Sequence, residues 1–305
     1  MKFYIAVFLF CVSCSKGVSQ NVSEEINNRI VSAVSSGNVS DLSFTDLIYK
    51  YKSDSAVLSE MYSAFTKNIY KGRVLDFKII SDMNTIYSMT SSNVLKKKVV
   101  LFNVRVMNDS LIAFSNRDYT GTLLNQVELI LFDNEMKKEI SKNLKNTKLV
   151  DGNMILLAGA LSMKNETTQL HVIIDSNWNN TGSYAKLALC RMGDKALLKS
   201  YFYSIRQKTL EDAMDENFKE IEYIKQPESI DMLIKILFSD KTIPPVKETM
   251  EPEKRAYYAI NALARNIVNF PISIKKPYET ETNLKLMREW IRKNRNNIRI
   301  NKNVW

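Results

Sequence analysis

The chain has 305 residues, of which 45% are hydrophobic and 25% charged, so it is long and apolar enough to fold around a sizeable core. It has 8 glycines, 6 prolines, 3 cysteines and one histidine, and its formal net charge is +10. This composition argues against a turn-rich all-β protein, a collagen-like chain and most catalytic or metal-binding motifs, and it favours helix. The sequence identifies no specific biochemical activity.

Residues 1–19 are predicted to be a signal peptide, because Lys2 precedes an apolar run from residue 3 to residue 12. That run is about half of the roughly 20 residues that a transmembrane helix needs. The motif Cys11-Val12-Ser13-Cys14 resembles a bacterial lipobox, although Cys11 stands where a lipobox usually has leucine. The resemblance implies cleavage before Cys14 and lipidation of that cysteine. The alternative is ordinary cleavage near Ser19 and Gln20, which releases a free protein.

Residues 20–147 are predicted to be mostly helical. Ser23-Glu24-Glu25 has the pattern of a helix start, and residues 56–69 carry apolar side chains at helical spacing. Residues 96–114 fit either a helix or an alternating strand, and so do residues 170–174. The helical interpretation is adopted for both because their surroundings are helical.

Residues 148–305 show the clearest helical patterns. Apolar stripes predict helices over residues 185–192, 197–205, 230–238 and 256–267, with Gly193-Asp194 as the turn between the first two. All 6 prolines lie between Pro227 and Pro277. Proline lacks an amide donor and constrains the residue before it, so the loops at residues 239–253, with Pro244 and Pro245, and at residues 270–278 are predicted to connect helices.

A helix-turn-helix pattern recurs in this region. Residues 158–165 and 187–194 share small and apolar residues followed by a polar turn, 29 residues apart, and residues 224–238 resemble the second half of the unit. Paired helices with periods near 30 to 45 residues are typical of α-solenoids. Residues 148–295 therefore resemble HEAT-like helical repeats, with uneven spacing and two proline loops. The resemblance implies an all-α, irregular α-solenoid of HEAT-like helix hairpins that is used for contacts. An irregular helical domain is the alternative.

The densest cluster of positive charge lies between Lys285 and the last residue. It includes Arg288, Arg292, Lys293 and Arg295, opposed by the single acid Glu289. Positive charge at the carboxyl end of a last helix stabilises that helix through its interaction with the helix dipole. The functional alternatives are attraction to anionic lipid headgroups or to an acidic protein. Nucleic acid is not predicted as a partner, because the aromatic residues do not alternate with the basic ones.

Four further features have side chains that could bind a metal ion, take part in catalysis or contact a partner. Asp212, Asp215 and Glu216 share a predicted helix face, where exposed charge is favoured over a site for a hard cation. The one histidine, His171, has apolar neighbours, and the sequence has no Gly-x-Ser-x-Gly motif that would present a serine nucleophile to it. A Ser-His-Asp catalytic triad is therefore not predicted. Cys190 is predicted to be a buried, unreactive thiol. Trp178 stands in a polar turn, where an aromatic ring is a candidate contact point.

These observations favour a non-enzymatic protein-protein interaction scaffold at the bacterial cell envelope, exported and lipid-anchored, with no cofactor and no metal. A protein partner is expected on the concave face or at the loop of Pro244 and Pro245. The alternatives are an envelope hydrolase with an unrecognised carboxylate site and an immunity-type inhibitor of an acidic toxin.

Overall fold

The computed structural model describes residues 21–243 and 253–305. It is 72% helical with 15 α-helices and almost no sheet, which confirms the all-α prediction. The described residues form two compact units that divide between Leu149 and Val150. The predicted signal peptide, Cys14, Pro244 and Pro245 lie outside the described residues. Within the described part of the chain, no helix is long and apolar enough to span a membrane.

Unit 1 is built around helix α5, which contacts several other helices of the unit. The helices of this unit are α1 (residues 21–36), α2 (Thr45–Lys50), α3 (Ser55–Asn68), α4 (Arg73–Met89), α5 (Asn93–Met107), α6 (Phe114–Leu124) and α7 (Asn134–Lys145). Helix α5 packs against α4, α6 and α7. Asp54 accepts hydrogen bonds from the amides of Ala56 and Val57 at 3.0 and 3.1 Å and so caps α3.

The predicted helix over residues 56–69 is confirmed, and two other predictions in unit 1 need correction. The ambiguous stretch 96–114 is helical as far as Met107, which ends α5. It is not one helix, because the carboxylate of Asp109 accepts the amide of Leu111 at 2.9 Å in the turn that follows. A separate helix, α6, begins at Phe114. Ser23 does not start α1, since residues 21 and 22 are already helical.

The described helices of unit 2 are α8 (Gly152–Ala160), α9 (Thr167–Ser176), α10 (Gly182–Met192), α11 (Lys195–Arg206), α12 (Leu210–Ile224), α13 (Pro227–Leu237), α14 (Arg255–Asn266) and α15 (Glu281–Asn294). The four helices that the apolar stripes predict are confirmed as α10, α11, α13 and α14. Gly193 ends α10 with φ 93°, a conformation that glycine adopts without strain. Asp194 then caps α11 through the amide of Leu197 at 3.0 Å. The predicted turn at Gly193-Asp194 is therefore confirmed.

The packing of unit 2 follows the order of its helices. Helix α10 packs against α8, α9, α11 and α12, and the contacts continue from α12 to α13, from α13 to α14 and from α14 to α15. Helices α8 and α10 approach closely at Gly159. A Cβ atom added there would lie only 2.7 Å from the Cα atom of Ala188. The glycine is therefore required for this close helix contact.

The two proline loops join helices as predicted. Lys241 and Arg255 flank a short antiparallel ladder between β1 (Thr242–Ile243) and β2 (Glu253–Lys254), which holds the described ends of the first loop together. The second loop is irregular over residues 270–278. The side-chain Nδ2 of Asn283 in α15 donates to the main-chain oxygens of Lys275 and Pro277 at 2.8 and 2.7 Å, which fixes this loop against the start of α15.

Candidate functional site

A groove between α13 and α15 combines an apolar floor with a cationic rim. Its volume is about 480 Å³. The floor is formed by Ile234 and Ile291, which are almost fully buried, and by the half-buried ring of Phe238. The side chains of Lys235, Arg292 and Arg295 complete the lining. Helical spacing positions these groups, since Ile234 and Phe238 are one turn apart and so are Ile291 and Arg295.

Arg288 ties the two helices together at one end of the groove. Its Nε atom donates to the main-chain oxygen of Leu237 at 2.8 Å, and Nη2 donates to that of Ser239 at 3.0 Å. These oxygens follow the end of α13, where main-chain acceptors have no partner within the helix. The guanidinium also lies 5.8 Å from the ring centroid of Phe238. Arg288 therefore stabilises the end of α13, whereas the sequence suggested only a favourable interaction with the dipole of its own helix.

Arg292 and Arg295 point their charge at the groove from the next turns of α15. The guanidinium of Arg292 lies 5.2 Å from the ring centroid of Phe238, a distance at which a cation is attracted to an aromatic face. Arg295 forms an exposed ion pair with Asp231, with Nη2 and Oδ1 at 2.9 Å. Exposed pairs of this kind contribute at most about 1 kcal/mol, so Arg295 can exchange its partner at low cost.

Lys293 lies on the same helix but does not line the groove. Its side chain is exposed. Around the groove the cations Lys235, Arg288, Arg292 and Arg295 outnumber the acids Asp231 and Asp240, and both acids are exposed. The local charge is therefore positive, and the surface favours an apolar side chain flanked by carboxylates.

The predicted loop at residues 239–253 starts at the edge of this groove. Asp240 accepts a hydrogen bond from Nη2 of Arg288 at 3.1 Å, directly after Ser239. Pro244 and Pro245 follow within residues 244–252, which the structure does not describe. The structure thus places the beginning of the loop beside the basic cluster. The sequence gave no reason to expect that the loop and the cluster are neighbours.

Trp178 lies apart from the residues that line the groove. It stands in the turn between α9 and α10, where its ring is half-buried and its main-chain oxygen accepts from the amide of Thr181 at 3.0 Å. Asn177, Asn179 and Asn180 shape this turn with φ values of 48°, 51° and 60°. Asparagine tolerates this left-handed region better than most residues. The turn is therefore ordered by its asparagines, and Trp178 remains a separate candidate contact point.

The acidic residues of α12 bind side chains from different elements instead of converging. The three acids considered for a cation have separate partners: Asp212 with Thr209, Asp215 with Arg255, and Glu216 with Lys208. Across residues 21–243 and 253–305, no group of three or more histidine, cysteine or acidic side chains is placed to hold a metal ion. None of these partners belongs to the basic residues of α15.

Cys190 and His171, whose side chain types often take part in catalysis, occupy different environments. Cys190 is only 1% exposed, and burial raises the pKa of its thiol to about 12, which disfavours the nucleophilic thiolate. His171 has an exposed side chain on α9, with its Nε2 atom 3.7 Å from Oδ2 of Asp194. That carboxylate also caps α11, so the histidine lies beside a structural group.

Sequence reasoning missed the aromatic centre of the groove. Phe238 was assigned only to the apolar stripe of its helix, and neither Ile291 nor Lys235 was considered for binding. The available signal was the position of Phe238 at the last turn before a polar loop. The chain matches no protein-family model and has no significant match among curated proteins or solved structures. The resemblance to HEAT-like repeats therefore stays a prediction.

Proposed function

We propose that this protein is a non-enzymatic interaction scaffold that binds a protein partner in the groove between α13 and α15. The observation that carries the proposal is the half-buried ring of Phe238 with the guanidinium groups of Arg288 and Arg292 at 5.8 and 5.2 Å. Aromatic and arginine side chains over buried apolar contacts are the groups that dominate binding energy at protein interfaces.

The groove favours a partner segment that carries both apolar and acidic residues. A volume of about 480 Å³ accommodates one or two apolar side chains above Ile234 and Ile291. Carboxylates on either side of them would meet Lys235 and Arg292, which are exposed at the rim. Because the rim charges are exposed, they contribute mainly to the association rate and to the choice of partner.

We also propose that residues 148–295 form an irregular solenoid of HEAT-like hairpins. Two observations support it. Helices α8 and α10, which contain the two matching stretches of the repeat, meet directly at Gly159 and Ala188. From α12 onward each helix packs against the next one in the chain. Residues one period apart in the sequence thus face each other in space, as stacked repeats require.

The location is proposed from the sequence alone. The apolar run before residue 13 and the motif ending in Cys14 suggest export and lipidation, which would hold the scaffold at a bacterial envelope membrane. Labelling with a palmitate analogue tests this part separately. The label should appear on the intact chain and disappear in Cys14→Ser, and a chain released unlabelled into the medium would refute the anchor.

Site-directed photo-crosslinking tests the groove. A crosslinking amino acid replaces Lys235 at the rim of the groove or, as a control, Lys199, which is exposed on α11. Envelope extracts should give a crosslinked protein from position 235 and not from position 199. The same product should be lost when Phe238→Ala is combined with Arg292→Glu, and it should persist with Lys285→Glu on the same helix.

The alternative, that the groove binds anionic lipid headgroups, is tested with the same variants. Vesicles of phosphatidylcholine and phosphatidylglycerol at 4:1 are sedimented with unlipidated protein. Sedimentation that depends on Phe238 and Arg292, without a specific crosslinked protein, would replace the scaffold with a lipid-binding role. Identical products from positions 235 and 199 would show that the groove does not select a partner.

A further inference from the structure

Residues 301–305, here called the strap, run over the start of α13 and are held by two buried cations. Arg191 in α10 donates from Nη2 to the main-chain oxygen of Val304 at 2.5 Å and to that of Lys302 at 3.4 Å. Lys225 donates from Nζ to the main-chain oxygen of Trp305 at 2.5 Å. Every one of these acceptors is a main-chain atom, so the contacts do not depend on the side chains of the strap.

Other elements hold the two cations in position. Nη1 of Arg191 donates to the main-chain oxygen of Tyr223 at 2.8 Å, and its guanidinium lies 4.8 Å from the Tyr223 ring centroid. Nζ of Lys225 also donates to Oδ1 of Asn266 at 2.5 Å. Nε2 of Gln226 donates to the main-chain oxygen of Arg191 at 2.6 Å, and Oε1 of Gln226 accepts a hydrogen bond from Nζ of Lys302 at 3.4 Å. The donors are therefore fixed by α10, α12 and α14 before the strap is considered.

The two cations are expensive to bury. Lys225 is 0% exposed and Arg191 is 5% exposed. Among the described residues, no aspartate or glutamate side chain forms an ion pair with either of them, and the nearby carboxylate of Glu222 pairs with Arg265 at 2.6 Å. Burial, and to a smaller extent the charge of Arg191, lowers the pKa of Lys225 to about 7. Both side chains are instead held by hydrogen bonds to main-chain and amide oxygens, which an apolar residue at either position would leave without donors.

The strap itself has the character of a bound peptide. Residues 298–305 have no helix, and the path is set by main-chain contacts: the amide of Val268 donates to the oxygen of Arg299 at 2.8 Å, and the amide of Asn301 donates to the oxygen of Asn266 at 2.8 Å. Side chains of Lys302 and Asn303 are exposed. An extended segment that pairs its main chain with fixed donors is a recurring form of peptide recognition.

We propose that Arg191, Lys225 and Gln226 form a peptide-binding site that takes the main-chain oxygens of an extended segment, and that the strap is the internal ligand of this site. The class of ligand is an extended peptide that presents main-chain oxygens at the spacing of Lys302, Val304 and Trp305. A segment of that kind from another protein competes with the strap. This site is separate from the groove between α13 and α15 and does not depend on the function proposed for it.

The test supplies the strap as a free peptide. The probe is residues 301–305, acetylated at its amino end, amidated at its carboxyl end and labelled with fluorescein, and binding is measured by fluorescence anisotropy. A chain that stops after Ile300 should bind the probe at least tenfold more tightly than the full chain, because the internal ligand is gone. Lys225→Met in the shortened chain should abolish binding, whereas Lys199→Met should leave it unchanged.

A second variant covers the case in which the shortened chain does not fold, as judged by its circular dichroism. Asn301→Pro in the full chain removes the amide that donates to Asn266 and should loosen the strap, so that the probe again binds more tightly than it binds the unaltered chain. Binding that is unchanged by Lys225→Met, or the absence of binding in both variants, would overturn the proposal.

Discussion

The buried ammonium group of Lys225 predicts a specific pH dependence of stability. Burial lowers its pKa from 10.5 to about 7 in the folded chain. Between these two values the unfolded chain binds a proton that the folded chain does not, so falling pH destabilises the fold. The shift corresponds to about 5 kcal/mol in total, and about 2.5 kcal/mol of it is expressed between pH 9 and pH 6.

Lys225→Met removes this titration while keeping an unbranched side chain in the same space. We expect the unfolding free energy of the unaltered chain to fall by about 2.5 kcal/mol relative to the variant as the pH is lowered from 9 to 6. The variant also loses hydrogen bonds to Asn266 and Trp305, but that loss adds a nearly constant offset. The prediction concerns the slope with pH and is independent of the offset.

The assay can follow unit 2 alone, because all 3 tryptophans of the chain, Trp178, Trp290 and Trp305, lie after residue 149. Urea unfolding followed by tryptophan emission at pH 6, 7, 8 and 9 gives the free energies. Lys199→Met, on the exposed face of α11, is the matched control and should run parallel to the unaltered chain. Parallel curves for Lys225→Met as well would show that this lysine titrates normally and would refute the reasoning.

Three further outcomes are expected. Gly159→Ala should lower the unfolding free energy of unit 2 by about 1–3 kcal/mol, measured with urea, because the new Cβ meets the backbone of Ala188 at 2.7 Å; an unchanged value would contradict the close contact. With the other two cysteines replaced by serine, Cys190 should react with a thiol reagent at pH 8 at least 100-fold more slowly in the native chain than in urea, because it is 1% exposed with a pKa of about 12. Burial raises the pKa of Asp82 to about 6, although the amide of Phe44 donates a hydrogen bond to its carboxylate. The unaltered chain should therefore gain about 2 kcal/mol of stability relative to Asp82→Asn when the pH is lowered from 6.5 to 4.5, measured by hydrogen exchange in α4. An equal change of stability with pH in both chains would exclude the shift.

The helices of unit 2 could be predicted because their signals are local. The stripe at residues 230–238 and the turn at Gly193 depend on residues within one or two helical turns of each other, and the structure has both. The break after Met107 also had a local signal, because the polar residues Asn108, Asp109 and Ser110 interrupt the apolar ones and are typical of turns. The prediction gave more weight to the apolar residues on both sides. In the structure, the carboxylate of Asp109 accepts a hydrogen bond from the amide of Leu111 in this turn.

The two candidate sites could not be predicted because their partners are distant in the chain. Lys225 contacts residues that lie 41 and 80 positions further along the chain, and Arg288 caps a helix that ends 51 positions earlier. A sequence pattern records that a lysine follows Ile224, but not that Asn266 meets its ammonium group. Basic residues between Lys285 and the last residue were found by their density, whereas the isolated Arg191 and Lys225 gave no such signal.

Helix α13 connects the two sites physically. Lys225 and Gln226 stand immediately before its first residue, and Phe238 stands immediately after its last one, so the sites lie about 16 Å apart along the helix axis. Leu233, Ile236 and Leu237 are fully buried between them and hold the helix among its neighbours. A helix packed in this way moves as a rigid body. Helix α15 is a second connection, because Arg295 lines the groove and the strap begins at residue 301 of the same stretch of chain. Binding in the groove can therefore affect the strap by displacing either α13 or α15.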